Sequence, residues 1–403
     1  MKKYIIVLIT AFLAVSCDQF NEVANVAKVS GVTATLNLNL SGASADIPRP
    51  DAYTIKFNNY NDKFELIKSV TNIKNVPVHD LIPGVYTINI SAEVVHNGFA
   101  YYYTGNLTNV TITEDGRFDI EIQIAKTGAL VIKEIYYVGS RTPSNGSYFR
   151  DQFYEIYNNS EEMVYIDGLC FGNVLPLTAT ANIPTWNITN QNDYVFFATV
   201  WQVPGRGTDY PLYPGESIII AQMAANHKIE SLNPSCPVNL LSAEFETFIN
   251  STAIISDNPA INMDIAWWEG YRTPQWLVTV FGGAYAMFFP DKNTDFSKWT
   301  QQVNSTTVAK EIPLGLILDA VELVNDETKI QEKRIPAILD AGAIYCSGTY
   351  TGESVSRKIR ETKEDGRVIY WDTNNTSEDF QLNSTPVPRR NGAKIPSWNT
   401  WAN

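Results

Sequence analysis

EIYNNSEEMVYIDGLC, residues 155–170, is the stretch from which the rest of the chain can be read. FYEIY (153–157) and MVYID (163–167) carry the aromatic and β-branched residues of strands, and NNSEE (158–162) between them carries turn chemistry. The pattern predicts a hairpin of two core strands. It holds two carboxylates, Glu155 and Asp167, and ends in Cys170. Such acids can serve a reaction or a scaffold, and the scaffold is the expected role. Glu155 is expected to bond to nearby backbone, Asp167 to help turn the chain into Gly168, and Cys170 to be a small buried residue.

Working outward, the same β character continues in both directions. ATLNLNL (34–40) and FDIEIQI (118–124) alternate apolar and polar residues at period two, with short runs such as YTIKF (53–57) and VYTINISAEV (85–94) between them. Pro83-Gly84, Asn97-Gly98 and Asp115-Gly116 punctuate these runs. Beyond Thr127-Gly128, ALVIKEIYYVG (129–139) and YPGESIIIA (213–221) read as buried strands, and no long helical period occurs. The expected fold class is all-β: two β-sandwich domains, at 31–126 and 127–403.

Composition narrows the function. The chain has 403 residues, 44% apolar and 18% charged, enough to build more than one core. Its formal net charge of −13 repels phosphate backbones, so nucleic acid is not an expected partner. Arg357, Lys358, Arg360, Arg389 and Arg390 read as a solvated basic face. The three histidines, His79, His96 and His227, form no HExxH pattern, so no metal site is expected from them. DTNNTSEDF (372–380) and DNPAINMD (257–264) are rich in oxygen ligands, but the first lacks the glycine and spacing of a calcium loop. No nucleotide loop and no G-x-S-x-G elbow occur, so no cofactor is expected.

The N-terminus carries the case for location. In MKKYIIVLITAFLAVSCDQF, Lys2 and Lys3 precede an apolar run from Tyr4 to Val15 that is too short to span a bilayer. Leu13-Ala14-Val15-Ser16-Cys17 resembles a bacterial lipobox. That resemblance implies a signal peptide at 1–16, lipid attachment at Cys17 and an acylated tether at 17–30. The acids soon after Cys17 resemble the surface-export signal of Bacteroidota lipoproteins. With Cys17 acylated, Cys170, Cys236 and Cys346 remain; one disulfide plus a thiol, or three buried thiols, are both open.

Two further resemblances concern the fold. DLIPGVYTINISA (80–92) is similar to the Pro-Gly-x-Tyr strand of carboxypeptidase-regulatory-like and transthyretin-like domains. EIYNNS and VYIDGLC, YPGESIIIA, SVSRK (354–358), DTNNTSEDF and TPVPRRN (385–391) resemble, in order, elements of the lamin-tail fold, an immunoglobulin-like sandwich. Together they resemble a family of Bacteroidota outer-membrane lipoproteins with no assigned activity. The additions at 171–211 and 223–352 exceed a compact lamin-tail domain and are where a specific function is expected.

One segment stands out there. AWWEGYRTPQWLVTVFGGAYAMFFP (266–290) is dense in aromatics, and Trp267, Trp268, Tyr271 and Trp276 are candidate ligand-binding residues. Sandwich core is the competing role, and adjacent Trp267 and Trp268 must point to opposite faces of a strand. Tyr101-Tyr102-Tyr103 raises the same choice. The expected function is non-catalytic binding at the cell surface of a small ligand, glycan or peptide, possible service to a TonB-dependent transporter included. A surface hydrolase working through two carboxylates, or a structural or adhesive protein, is the alternative.

Overall fold

The computed structural model describes residues 30–40, 48–59, 62–96, 99–126, 128–179, 185–186, 188–250, 256–268, 273, 275–291, 293–297, 300–301 and 308–402. Residues 1–29, with the expected signal peptide, Cys17 and most of the expected tether, and Asn97-Gly98, Thr127 and Tyr271 lie outside them. The structure is all-β, built as sandwiches.

Seven strands form the N-terminal sandwich: β1 (Val32–Leu40), β2 (Tyr53–Asn59), β3 (Phe64–Val70), β4 (Val76–Leu81), β5 (Gly84–His96), β6 (Phe99–Ile112) and β7 (Gly116–Lys126). Their order is β3-β2-β5-β6-β7-β1-β4, with β1 parallel to β7. Alternation determines what each strand buries. In β1, Ala34, Leu36 and Leu38 are fully buried while Thr33, Thr35 and Asn37 are not. After Pro83-Gly84 the parity puts Tyr86, Ile88 and Ile90 in the core and leaves Val85 exposed. The Tyr86 hydroxyl, held away from water, donates to the Ile82 carbonyl at 2.5 Å.

Two further seven-stranded sheets follow. One runs in the order Ile261–Asn262, Phe245–Glu246, Ser217–Ala221, Phe153–Asn158, Leu130–Tyr136, Ser354–Arg357, Phe380–Asn383. The other runs Thr300–Gln301, Val308–Pro313, Tyr194–Gln202, Cys170–Val174, Ala284–Phe288, Ile317–Glu322, with Asp264–Trp268 also paired to Tyr194–Gln202. An aromatic nest lies between them. Tyr154 meets Phe171, Trp276 and Tyr285 at centroid separations of 4.8, 5.6 and 4.7 Å.

The hairpin expected at 155–170 does not form. Phe153–Asn158 already has Leu130–Tyr136 on one side and Ser217–Ala221 on the other. No edge is free, so the chain leaves this sheet and Cys170–Val174 joins the opposite one. Asp167 organises that crossover by accepting the amides of Arg206, Gly207, Asp209 and Tyr210 at 2.9–3.1 Å. Glu155 faces Glu134 across the ladder, two like charges in register. The register shifts between Glu155 and Ile156, opposite Lys133, whose ammonium binds Glu155 at 2.8 Å.

The basic residues expected as one solvated face are instead divided: Arg357 is buried, Lys358, Arg389 and Arg390 are half-buried and Arg360 is exposed. Arg357 is 2% exposed. Arg390 binds Glu134 at 3.0 Å, Arg389 pairs with Glu244, and the Arg389 amide donates to Glu155 at 3.1 Å. These carboxylates sit in a sheet covered by the 384–402 segment, and a charge so buried needs a partner. The arginines of TPVPRRN therefore hold the C-terminus down. Among the described residues no helix is long and apolar enough to cross a membrane.

Candidate functional site

A well-formed cavity lies almost wholly outside the additions, with only Ala341 of 223–352 in its lining. It is a cleft of about 410 Å³ between the open face of β2, β5 and β6 and the 371–379 loop. Strand parity supplies one wall. Tyr53, Ile55 and Phe57 of β2 point into the core, so Thr54 and Lys56 face out. Asn89, Ser91 and Glu93 of β5, and Tyr102 and Thr104 of β6, complete that wall. Tyr103, between the last two, is fully buried on the other side.

The opposite wall is turn chemistry. Asn374 adopts a left-handed φ of 56°. The Asp379 carboxylate accepts the Thr373 amide and hydroxyl, each at 2.7 Å, which fixes Trp371, Thr373, Asn375 and Glu378 along the cleft. Trp371 is 37% exposed.

Charges bridge the walls in pairs. Lys56 binds Glu378 at 2.5 Å and Glu65 at 3.1 Å. Burial lowers the Lys56 pKa, but Glu378 and Glu65 outweigh it and the net shift is upward. Arg360 binds Glu93 at 2.8 Å, hydrogen-bonds the Tyr102 hydroxyl at 3.3 Å and lies 5.4 Å from the Trp371 ring centroid. Burial, then Glu93 and Asp372, push the Tyr102 phenol up.

Behind the loop lies a buried surplus of acid. Arg357 meets Asp319 at 2.7 Å, Asp372 at 3.2 Å and Asp379 at 3.3 Å. It also donates to the Ile132 and Trp371 carbonyls at 2.9 and 2.8 Å. One guanidinium cannot neutralise three carboxylates. Asp319 takes two hydrogen bonds from it, whereas Asp372 Oδ1 has none aligned. Burial therefore pushes Asp372 up to about 8, with Arg357 opposing and Asp319, Asp379 and Asp340 adding to the rise. The oxygen-rich 372–380 stretch thus turns Asp372 and Asp379 onto a guanidinium. No group of three or more His, Cys, Asp or Glu among the described residues is placed to hold a metal ion.

A second cluster has nucleophile-type residues but not their activation. Asp151 accepts from Tyr136 and Ser140 at 2.8 Å and from Cys236 at 3.2 Å. His227 spends its ring nitrogens on the Tyr148 hydroxyl and the Met223 carbonyl, at 2.8 and 2.9 Å. Burial pushes the Cys236 thiol up and His227 down to about 4, so neither a thiolate nor an imidazolium forms near neutrality. Cys170, Cys236 and Cys346 are all free and buried.

The candidate aromatics do not share a shelf. Trp276 is 1% exposed and packs between Tyr154, Phe171 and Trp201, so it is core and is corrected from the ligand-binding set. Trp267 and Trp268 are half-buried and do face opposite ways, Trp268 onto Trp201 at 5.9 Å and Trp267 onto the cluster around Phe197 and Phe288. Lys56, Glu93, Trp371 and Glu378 were missed as site residues. Their signal was the outward parity of β2 and β5 and the loop role of 371–379, neither of which shows that they meet.

The family model described as a protein of unknown function (DUF4876) matches residues 213–387. A DUF4876 family protein from Bacteroides thetaiotaomicron, solved as a crystal structure, is 39% identical, with a TM-score of 0.66 over 91% of this chain and 99% of that one. No curated protein matches.

Proposed function

This chain belongs to the DUF4876 family, and on that premise we propose that it is a lipid-anchored binding or accessory protein of the outer-membrane surface. It holds a ligand in the cleft between its sandwiches and leaves it chemically unchanged. The observation that carries this is the cleft itself: about 410 Å³, within the roughly 300–1,000 Å³ of small-molecule sites, with one exposed tryptophan and a lining that mixes apolar surface with polar side chains. Its carboxylates are already engaged, Glu378 with Lys56, Glu93 with Arg360 and Asp379 with Arg357. None is left free to protonate a leaving group, which favours binding over hydrolysis.

The lipobox-like Leu13–Cys17 supports anchoring at Cys17, and the acids after it support export to the surface. In this reading the N-terminal sandwich is carboxypeptidase-regulatory-like and the C-terminal one lamin-tail-like. A TonB-dependent transporter in the same membrane is the partner such a capture role calls for. In cells fed labelled palmitate, the full chain takes up label and Cys17→Ala does not, and protease added to intact cells digests the protein. Label on Cys17→Ala, or protection from protease, overturns the placement.

A further inference from the structure

We infer that the cleft takes a neutral polyhydroxylated ligand, a segment of a saccharide, that touches both sandwiches at once. This rests on the cleft being the binding site.

Charge is the first argument. Lys56 and Arg360 answer Glu378 and Glu93, and these two pairs tie the sandwiches together, while Arg357 answers Asp379 within the C-terminal one. A cationic or anionic ligand has to compete with ion pairs already formed within the fold, in a partly desolvated site. A neutral ligand does not.

Hydrogen-bonding chemistry is the second. Between the charged pairs the lining carries uncharged hydroxyls and amides, Thr54, Asn89, Ser91, Thr104, Thr373 and Asn375, groups that can both donate and accept, with the Thr373 hydroxyl already donating to Asp379. Sugar hydroxyls have the same dual character. Thr104 is the pointed case. It is 5% exposed, it lines the cleft, and its hydroxyl has no hydrogen-bond partner among the described residues. A buried unpaired hydroxyl costs stability, and a turn of the Thr104 side chain toward the cleft would let a ligand hydroxyl satisfy it.

The third argument is the flat surface. Trp371 offers an apolar plate beside this polar lining, and the apolar C–H face of a pyranose ring packs on such a plate while its rim of hydroxyls bonds sideways. A peptide side chain would ask instead for a deep apolar pocket, and the large apolar side chain exposed here besides Trp371 is Ile67, with Ala92 and Ala341 adding only small apolar surface.

The test is calorimetry on the full-length protein in detergent. Neutral probes are cello-, malto-, xylo- and manno-oligosaccharides; charged probes are oligogalacturonate and oligolysine. At least one neutral probe binds and the charged ones do not. Trp371→Ala, and Ser91→Tyr, which fills the cleft from an exposed strand position, each weaken that binding at least about tenfold. Trp371→Phe retains most of it, and thermal melts match the wild type. Binding of a charged probe alone, abolished by Ser91→Tyr, overturns the ligand class and leaves the cleft reading standing. Neutral binding that neither variant changes, or no binding of any probe, overturns the inference. In the first of those two cases the cleft reading falls with it.

Discussion

Replacing Asp372 by Asn removes one of three carboxylates that share Arg357, at nearly constant shape. Asp372 is 4% exposed, and its folded-state pKa is pushed to about 8, chiefly by burial and by the neighbouring aspartates. Its unfolded value is about 3.9. Between those two values the native state keeps a proton that the unfolded chain has lost. The stability linked to that proton is fully present at low pH and is lost as pH rises through about 8. From pH 6 to pH 8 the loss runs at about 1.4 kcal/mol per unit and then flattens, on the order of 3 kcal/mol as a ceiling. Asn is neutral in both states and lacks the term. Asp151, raised by burial to about 6 and outside the group of charges that act on Asp372, slopes the same way in both proteins and cancels in the difference. At roughly 2–4 °C per kcal/mol, the Tm of Asp372→Asn relative to wild type rises by roughly 6–12 °C between pH 6 and pH 9. Differential scanning calorimetry across that range reads the shift. Parallel Tm curves, or a variant that loses several kcal/mol at pH 9, would show that Asp372 is an ionised partner of Arg357 and refute the charge count.

The remaining predictions concern packing, charge and thiols. Trp276→Ala opens the aromatic nest around a residue 1% exposed and costs about 3–5 kcal/mol in guanidinium unfolding, whereas Trp371→Ala, at a 37% exposed position, costs less than about 1 kcal/mol. Lys133→Met strands the Glu155 carboxylate in a fully buried site and costs about 3–5 kcal/mol, much of it recovered in Lys133→Met with Glu155→Gln; equal losses in single and double variants would refute the pairing. Cys170 and Cys346, both pushed up by burial to about 12, and Cys236, higher still, resist maleimide in the native protein and label in denaturant, as peptide mapping reads; native labelling would contradict the burial.

Much of the fold was legible because its cause is local. Period-two alternation in ATLNLNL is enough to bury Ala34, Leu36 and Leu38, and the flanking Gly, Pro and Asn residues end strands by backbone chemistry alone. The stretch at 155–170 was legible as strand and turn but not as hairpin, because pairing depends on which edges other segments have already taken. Trp276 was misplaced for a related reason. Aromatic density says that an apolar surface must be covered, not whether protein or ligand covers it.

By itself the sequence determined the β class, the strand parity and the absence of the standard catalytic motifs, since each follows from neighbours along the chain. Only the tertiary structure decided which charges meet. Lys56 and Glu378 lie 322 residues apart, and Arg357 and Asp319 lie 38 apart. A lysine on an outward strand position and a glutamate in a short turn look solvated in any local reading. They become a latch across a cleft when two sandwiches, each folded by its own alternation, come to rest with those faces opposed.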